Sequence, residues 1–123
     1  MPRPVAMVRG AAGERAAEQH LIRARYVILA RNYRCPQGEI DLVALDGRTV
    51  AFVEVKTRRG PGWGPPIESV TPVKQRRLRR AAEHFLVRHG LSDRLVRFDV
   101  VAVWLTAEGA ACELVRDAFT ANG

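Results

Sequence analysis

The stretch EIDLVALDGRTVAFVEVK, residues 39–56, decides the fold of this chain. Two runs rich in apolar, strand-favouring residues, 39–45 and 49–56, flank an Asp-Gly pair, which is a strong signal for a β-hairpin turn. Both faces of the two runs are largely apolar, as is typical of central strands that are covered on both sides. The sequence therefore predicts a hairpin in the middle of a sheet, with other elements packed on each face.

The length of the turn sets which side chains face each other across this hairpin. With a two-residue loop at the Asp-Gly pair, Asp41 lies opposite Phe52 and one diagonal step from Glu54. With a four-residue loop at 46–49, Asp41 lies directly opposite Glu54. Because side chains alternate with a period of two, either loop places Asp41, Glu54 and Lys56 on one face. The other face is expected to carry Ile40, Leu42, Ala44, Ala51, Val53 and Val55.

Two carboxylates and an ammonium group at one end of an apolar sheet need compensation, because unpaired buried charges are costly. One interpretation is an ion pair between Lys56 and either carboxylate at a partly solvated sheet end. The functional interpretation is a divalent-metal site, since Mg²⁺ (or Mn²⁺) takes one or two carboxylates, several waters and substrate phosphate oxygens. Asp41 and Glu54 would hold the metal, with the backbone carbonyl of Val55 as a further ligand. Lys56 would orient the attacking water and stabilise charge on the phosphate.

The remaining segments predict one α/β domain over residues 11–120, a mixed sheet flanked by helices, behind a flexible tail at 1–10. Thr71 as N-cap and Pro72 as first helical residue open a second helix that ends before Gly90. This helix joins two strands by a right-handed crossover, which makes the two strands parallel. The elements expected besides 39–45 and 49–56 are a helix over 13–25, a strand over 26–30, a polar connector over 31–38, a loop over 57–66, a helix over 72–89, and strands over 97–105 and 111–115.

The charge balance indicates an anionic partner. Lys and Arg number 20 against 13 Asp and Glu, which gives a net charge of +7, and only Lys56 and Lys74 are lysines. Forked guanidinium groups favour phosphate recognition, so nucleic acid is the expected partner, with DNA ahead of RNA. No apolar run approaches the ~20 residues of a membrane span, and no secretory signal pattern is seen. We therefore expect a cytoplasmic protein with no membrane partner.

The hairpin carries a resemblance to a known family. Asp41 followed by Glu54-Val55-Lys56 looks like the PD-(D/E)xK signature of restriction-endonuclease-like nucleases, with Ile40 in the position of the proline. The ordered set GERAAEQHL, NYRCPQGEIDLVA, VAFVEVKTRR and RFDVV, roughly residues 13–119, is similar to the bacterial YraN family of predicted nuclease-related proteins. The resemblance implies a restriction-endonuclease-like fold and a Mg²⁺-dependent endonuclease that hydrolyses phosphodiester bonds in DNA, branched or structured forms included. It also implies a further catalytic carboxylate from the first helix, here Glu14, which could otherwise simply favour the helix dipole.

Basic residues cluster beyond the hairpin. The stretch KQRRLRR, residues 74–80, lacks the interspersed carboxylates that would cancel its charge, so it favours phosphate contact over a merely solvated face. Arg58 and Arg59 leave the strand directly after Lys56 and are expected to bind phosphate as well. The candidate nucleic-acid-binding residues are Arg58, Arg59, Lys74, Arg76, Arg77 and Arg80.

Several residues and functions keep two interpretations. Trp63 suits either base stacking or packing against the domain, and Glu39 lies beside the metal site or at the strand end. Asp99 is expected to have a structural role, paired with Arg97 or with a helix arginine. A catalytically inactive nucleic-acid-binding module and a protein–protein adaptor with a basic docking helix are the alternative functions. The sequence is also compatible with a homodimer.

Overall fold

Helices and strands alternate irregularly along the chain. A computed structural model describes residues 5–58 and 70–120, with side chains from Ala11 onwards. The elements in chain order are α1 (Val5–Arg23), β1 (Val27–Cys35), β2 (Gly38–Asp46), β3 (Thr49–Arg58), α2 (Pro72–Arg88), β4 (Val96–Thr106) and β5 (Gly109–Phe119). Neither α1 nor α2 is long and apolar enough to cross a membrane.

The strands form one five-stranded sheet in the order β1-β2-β3-β4-β5. Neighbouring strands are antiparallel except β3 and β4, which are parallel and are joined through α2. The prediction of a mixed α/β sheet flanked by helices is confirmed, and the architecture is consistent with a restriction-endonuclease-like fold.

The register of the central hairpin settles the two turn alternatives. Leu45 pairs with Val50 and Asp46 pairs with Thr49, so the turn consists of Gly47 and Arg48. The predicted loop at Asp46-Gly47 is therefore wrong. The strands have the register that was expected for the loop at 46–49, with Leu45 opposite Val50. Gly47 has a φ of 62°, a left-handed backbone that glycine adopts without a steric penalty. This turn shifts the pairing so that the strands, continued past Leu42 and Val53, bring Asp41 level with Glu54.

Two apolar clusters cover the two faces of the sheet. The α2 cluster includes Val43, Val50, Phe52 and Phe85, and the α1 cluster includes Leu21. Leu42, Ala44, Ala51, Val53 and Val55 all pack in the α1 cluster, as the alternation of side chains predicts. Ile40 packs with the α2 cluster instead, so its predicted face is wrong. Regular alternation on β2 therefore breaks between Ile40 and Leu42, at the position of Asp41.

The structure differs from the sequence prediction in where several elements begin and end. Helix α1 begins at Val5 rather than near residue 13, so part of the expected tail is helical. Strand β1 continues to Cys35, so residues 31–35 of the expected connector are strand. Its register, with Cys35 opposite Gly38, leaves a two-residue turn. Strands at the edge of a sheet often carry polar side chains, which hinder pairing with other chains. Because loops are polar as well, the composition of residues 31–35 led to the prediction of a connector. Thr57 and Arg58 belong to β3 rather than to the predicted loop over 57–66, of which residues 59–66 lie outside the described residues. Strand β5 is longer than predicted.

The predicted cap of α2 is confirmed. The Thr71 hydroxyl accepts the backbone N–H of Lys74 at 3.3 Å, and Pro72 is the first helical residue. Asp99 has the predicted structural role as well: it is fully buried and binds Arg97, whose Nε lies 2.8 Å from Oδ1. The Tyr26 hydroxyl and the backbone N–H of Asp117 also donate to this carboxylate, so its charge is compensated inside the protein.

Candidate active site

Asp41 and Glu54 are brought together where the pairing of β2 with β3 ends. The last backbone pair of this ladder joins Leu42 to Val53. Beyond it the side chain of Asp41 turns to β3, and its Oδ2 accepts the backbone N–H of Val55 at 2.8 Å. The Asp41 carboxyl group is also within hydrogen-bonding reach of the Glu54 side chain. The two acidic residues that the sequence placed on one face are thus neighbours.

The environment of Asp41 opposes its negative charge. Burial, followed by the charge of Glu54, raises the pKa of Asp41 to about 7, against smaller opposing effects of the Val55 N–H and of Lys56. Near neutral pH the Asp41 carboxyl group is therefore close to its pKa, and a cation between Asp41 and Glu54 would remove the repulsion of the two groups. Two carboxylates with room for waters fit the ligand preference of Mg²⁺ or Mn²⁺. The residues present thus match the expected metal.

Lys56 partly compensates the two carboxylates. Its Nζ lies 3.4 Å from Oε1 of Glu54, and the two side chains are only 19% and 18% exposed. The predicted ion pair at the sheet end is thus present, with Glu54 as its partner. One ammonium balances one carboxylate, so the three groups together carry a negative charge when Asp41 is ionised.

Helix α1 brings Glu14 to the other side of Asp41. Gly13 lies against β3 so closely that a Cβ at this position would be 2.0 Å from Oγ1 of Thr57. The absence of a side chain at Gly13 therefore lets the helix approach the end of β3. Burial and the charge of Asp41 raise the pKa of Glu14, which places the two carboxyl groups within electrostatic reach of each other.

Asn32 is a site residue that the sequence reasoning missed. Its neighbours in β1 pair with Leu42 and Ile40, so Asn32 lies level with Asp41. Its φ of 49° is a left-handed backbone, and its side chain lies close enough to Glu14 to lower the pKa of that carboxyl group. The available signal was the residue type, since asparagine tolerates this backbone better than most residues. Assigning residues 31–38 to a connector hid its position beside the site.

A cavity of about 340 Å³ opens beside the two carboxylates. Lys74 and Arg77 of α2 line it together with Asp41 and Glu54. Lys74 also lies against Lys56, and the hydrogen bond and the positive charge of Lys56 lower the pKa of Lys74. Negative charge at the hairpin therefore faces positive charge on the helix across a space that admits a phosphate group.

The other residues predicted to contribute to the site lie at different distances from this cavity. Arg58 lies close enough for its charge to act on Lys74, whereas Arg76 is exposed and Arg80 lines a separate cavity further along α2. Glu39 lies at the rim and pairs with Arg34 at 3.1 Å, with both side chains largely exposed. Arg59 and Trp63 lie outside the described residues.

The acidic groups do not form a preformed cluster of three protein ligands. Over residues 5–58 and 70–120, no three His, Cys, Asp or Glu side chains are arranged to hold a metal ion. Glu14 is thus near Asp41 without completing a ligand set with Glu54. A metal here would have two carboxylates as its side-chain ligands.

Comparisons with known proteins cover most of the chain. The sequence profile described as "Uncharacterised protein family UPF0102" matches residues 13–103. A UPF0102 protein of Moorella thermoacetica is 50% identical over 113 residues, which are 90% of this chain and 94% of the relative. The UPF0102 protein GSU0650 of Geobacter sulfurreducens is 48% identical over 111 residues, 89% of this chain and 87% of the relative. A UPF0102 protein of Beutenbergia cavernae is 52% identical over 102 residues, 83% of this chain and 86% of the relative. The matched range includes Glu14, Asp41, Glu54, Lys56 and Lys74.

Proposed function

This chain belongs to the UPF0102 family, the YraN proteins, and we propose that it is a nuclease that hydrolyses phosphodiester bonds in DNA with Mg²⁺ or Mn²⁺. The observation that carries the proposal is that Asp41 and Glu54, two acidic side chains on neighbouring strands, line one cavity. A pair of sheltered carboxylates is otherwise unfavourable, and a divalent cation is the simplest group that stabilises it. We place this activity in the cytoplasm, where the DNA of a bacterial cell lies.

Asp41 and Glu54 would hold the metal, with the backbone carbonyl of Val55 as a further candidate ligand. When bound, a divalent ion stabilises negative charge on the reacting phosphate and lowers the pKa of a water ligand. The Val55 N–H fixes one oxygen of Asp41, which leaves the other oxygen for the cation. Lys56, held beside Glu54, donates a hydrogen bond to the attacking water and keeps it next to the phosphorus.

The basic wall of the cavity binds the substrate. Lys74 and Arg77 face the carboxylates across a space that suits one phosphate group, and both can donate hydrogen bonds to its non-bridging oxygens. Arg76 and Arg80 continue the positive charge along α2 and would contact neighbouring phosphates. Because these contacts are with the backbone of the substrate, the site favours no base sequence.

A second candidate function is a nucleic-acid-binding module without catalysis. It is favoured by the absence of a preformed three-ligand cluster in the part of the chain that the structure describes. Both functions predict binding that weakens with salt, so binding alone does not separate them. An adaptor that docks an acidic protein through α2 is a third candidate, supported only by the charge of that helix.

Cleavage of defined DNA substrates tests the proposal. Purified protein is incubated with Mg²⁺ or Mn²⁺ and single-stranded, duplex, flapped or four-way DNA, alongside Asp41→Asn and Glu54→Gln. The matched control is Glu108→Gln, which neutralises an exposed carboxylate in the turn between β4 and β5. We expect cleavage by wild type and control, and a loss of at least about 100-fold in both site variants. Cleavage that persists in the site variants, or its absence on every substrate with either ion, contradicts the proposal.

A further inference from the structure

Two adjoining cavities lie along α2 beyond the candidate active site, and we call them together the α2–β1 groove. The first, of about 590 Å³, is lined by Gln37 and by five residues of α2, namely Arg80, Glu83, His84, Val87 and Arg88. The second, of about 500 Å³, lies between the end of α2 and β1, and Arg88 lines both. The first cavity follows the site cavity along α2, because Arg80 lies about one helical turn after Arg77, which lines the site cavity.

Basic side chains follow the groove in one stripe of α2. Lys74, Arg77, Arg80, His84 and Arg88 are separated by three or four residues, which places them on the same side of a helix. The stripe spans ~21 Å at a rise of 1.5 Å per residue. Glu83 is an acidic residue that lines the first cavity, and neither Asp nor Glu is among the described residues that line the second. A chain of phosphates leaving the active site would thus meet positive charge along the groove.

Aromatic rings line the far half of the groove. The Tyr33 ring meets Phe85 edge-on at 5.1 Å, and its hydroxyl contacts Nδ1 of His84. The exposed ring of His89 lies against Phe85, with centroids 4.3 Å apart and ring planes tilted by 35°. Phe85 is buried and contacts both outer rings, and Tyr33 and His89 line the second cavity together with Arg88. Such ring faces can stack on unpaired nucleobases, whereas the bases of a duplex are already stacked on each other.

From these observations we infer that the α2–β1 groove binds an unpaired nucleic-acid strand that continues from the active site. The inference rests on the proposed function only in that the substrate is nucleic acid, and it adds a substrate class: DNA with a single-stranded arm beside the cleaved bond. Arg80 and Arg88 bind phosphates of the arm, and the rings at Tyr33 and His89 stack on its bases. The concave shape and the ring surfaces distinguish this groove from a flat basic face that only attracts duplex DNA.

Fluorescence anisotropy in EDTA tests the inference without any cleavage. The probes are a short single strand, a blunt duplex, and the same duplex with a single-stranded tail. The variants are Arg88→Ala and His89→Ala, both at exposed positions. The matched control is Arg48→Ala, which removes an exposed cation from the turn at the opposite end of the hairpin.

We expect wild type to bind the tailed duplex more tightly than the blunt duplex. Both groove variants should weaken binding of the single strand and of the tailed duplex by about five-fold or more, with less than about two-fold change for the blunt duplex. Arg88→Ala should also reduce the log–log salt slope on single strands by ~0.7, the value for one lost phosphate contact. Arg48→Ala should leave the preference for the tail unchanged.

Equal weakening on all three probes, or no weakening in the groove variants, would overturn the inference. Displacement of the single strand by an acidic peptide at lower concentration than by unlabelled DNA would also overturn it, since the groove would then favour a protein partner. The binding experiment is done in EDTA and so does not depend on a metal ion. If the protein shows the expected binding in EDTA but does not cleave DNA in Mn²⁺, only the proposed hydrolysis is rejected. Cleavage with no tail preference rejects only the groove.

Discussion

The carboxylate of Asp41 accepts the backbone N–H of Val55 at 2.8 Å, at the point where backbone pairing between β2 and β3 has ended. A side-chain oxygen thus satisfies a donor that the ladder leaves without its usual carbonyl. This hydrogen bond holds Asp41 against Glu54 even though the charges of the two groups repel each other. The site is therefore an irregular end of a strand, stabilised by backbone hydrogen bonding and destabilised by charge.

The pH dependence of stability should reveal the raised pKa of Asp41. Its folded pKa of about 7 lies above the usual value of 3.8, so the folded state binds the proton more tightly. The stabilisation is fully present below the unfolded pKa and is lost as the pH rises through the folded pKa. In EDTA, the melting temperature of wild type should fall between about pH 5 and pH 8 by more than that of Asp41→Asn. The same decline in both proteins, followed by differential scanning fluorimetry, would contradict this environment for Asp41.

Because the backbone of Asn32 is left-handed, we expect a glycine at this position to give a more stable protein than an alanine, the reverse of the usual order in a strand. Asn32→Ala keeps the strain of a side chain at a φ of 49°, whereas Asn32→Gly relieves it. Urea denaturation should therefore find the glycine variant more stable than the alanine variant by about 1 kcal/mol. At Glu113, an exposed β5 position without a positive φ, the order should be the reverse. If alanine is the more stable residue at both positions, the assigned backbone of Asn32 is wrong.

The contact between α1 and β3 predicts the effect of a methyl group at Gly13. A Cβ there would overlap Oγ1 of Thr57, so either the helix or the Thr57 side chain must move. We expect Gly13→Ala to lower the free energy of unfolding by about 1–3 kcal/mol, which outweighs the gain in helix propensity. Thr57→Ala removes the overlapping hydroxyl, so adding it should recover most of the loss in a double-mutant cycle. Additive effects of the two substitutions would show that they do not touch.

The buried charge of Asp99 predicts a purely structural loss. Asp99→Ala leaves Arg97 and the Tyr26 hydroxyl without their common acceptor, and we expect a destabilisation of about 3–5 kcal/mol. Asp46→Ala should cost less, because Asp46 is partly exposed, so its ion pairs with Arg97 and Arg116 are screened by solvent. Chemical denaturation measures both variants. A smaller loss for Asp99→Ala than for Asp46→Ala would contradict the buried network.

Local signals made the central elements predictable. The Asp-Gly pair predicted the hairpin, and Thr71 with Pro72 predicted the start of α2, because turns and helix caps depend on a few adjacent residues. The alternation of side chains predicted that Asp41 and Glu54 share one face, although β2 is irregular at this position; it left open whether they lie directly opposite each other. The face of Ile40 was mispredicted for that reason: a strand that leaves its ladder no longer alternates.

Non-local contacts made the rest unpredictable. Strand β1 lies at the edge of the sheet, and its polar residues 31–35 have no apolar alternation, so only the pairing with β2 reveals them as strand. The role of Asn32 depends on that pairing and on the approach of α1 through Gly13. The start of α1 at Val5 could not be predicted either, because no typical N-cap residue precedes it in the sequence.

A crystal soaked in Mn²⁺ tests the central claim most directly, because anomalous scattering locates the ion independently of any activity. The account predicts one anomalous peak bonded to a carboxylate oxygen of Asp41 and to one of Glu54, and no such peak in Asp41→Asn crystals. At saturating Mn²⁺, a peak elsewhere with this position empty, or an unchanged peak in the variant, would contradict the claim.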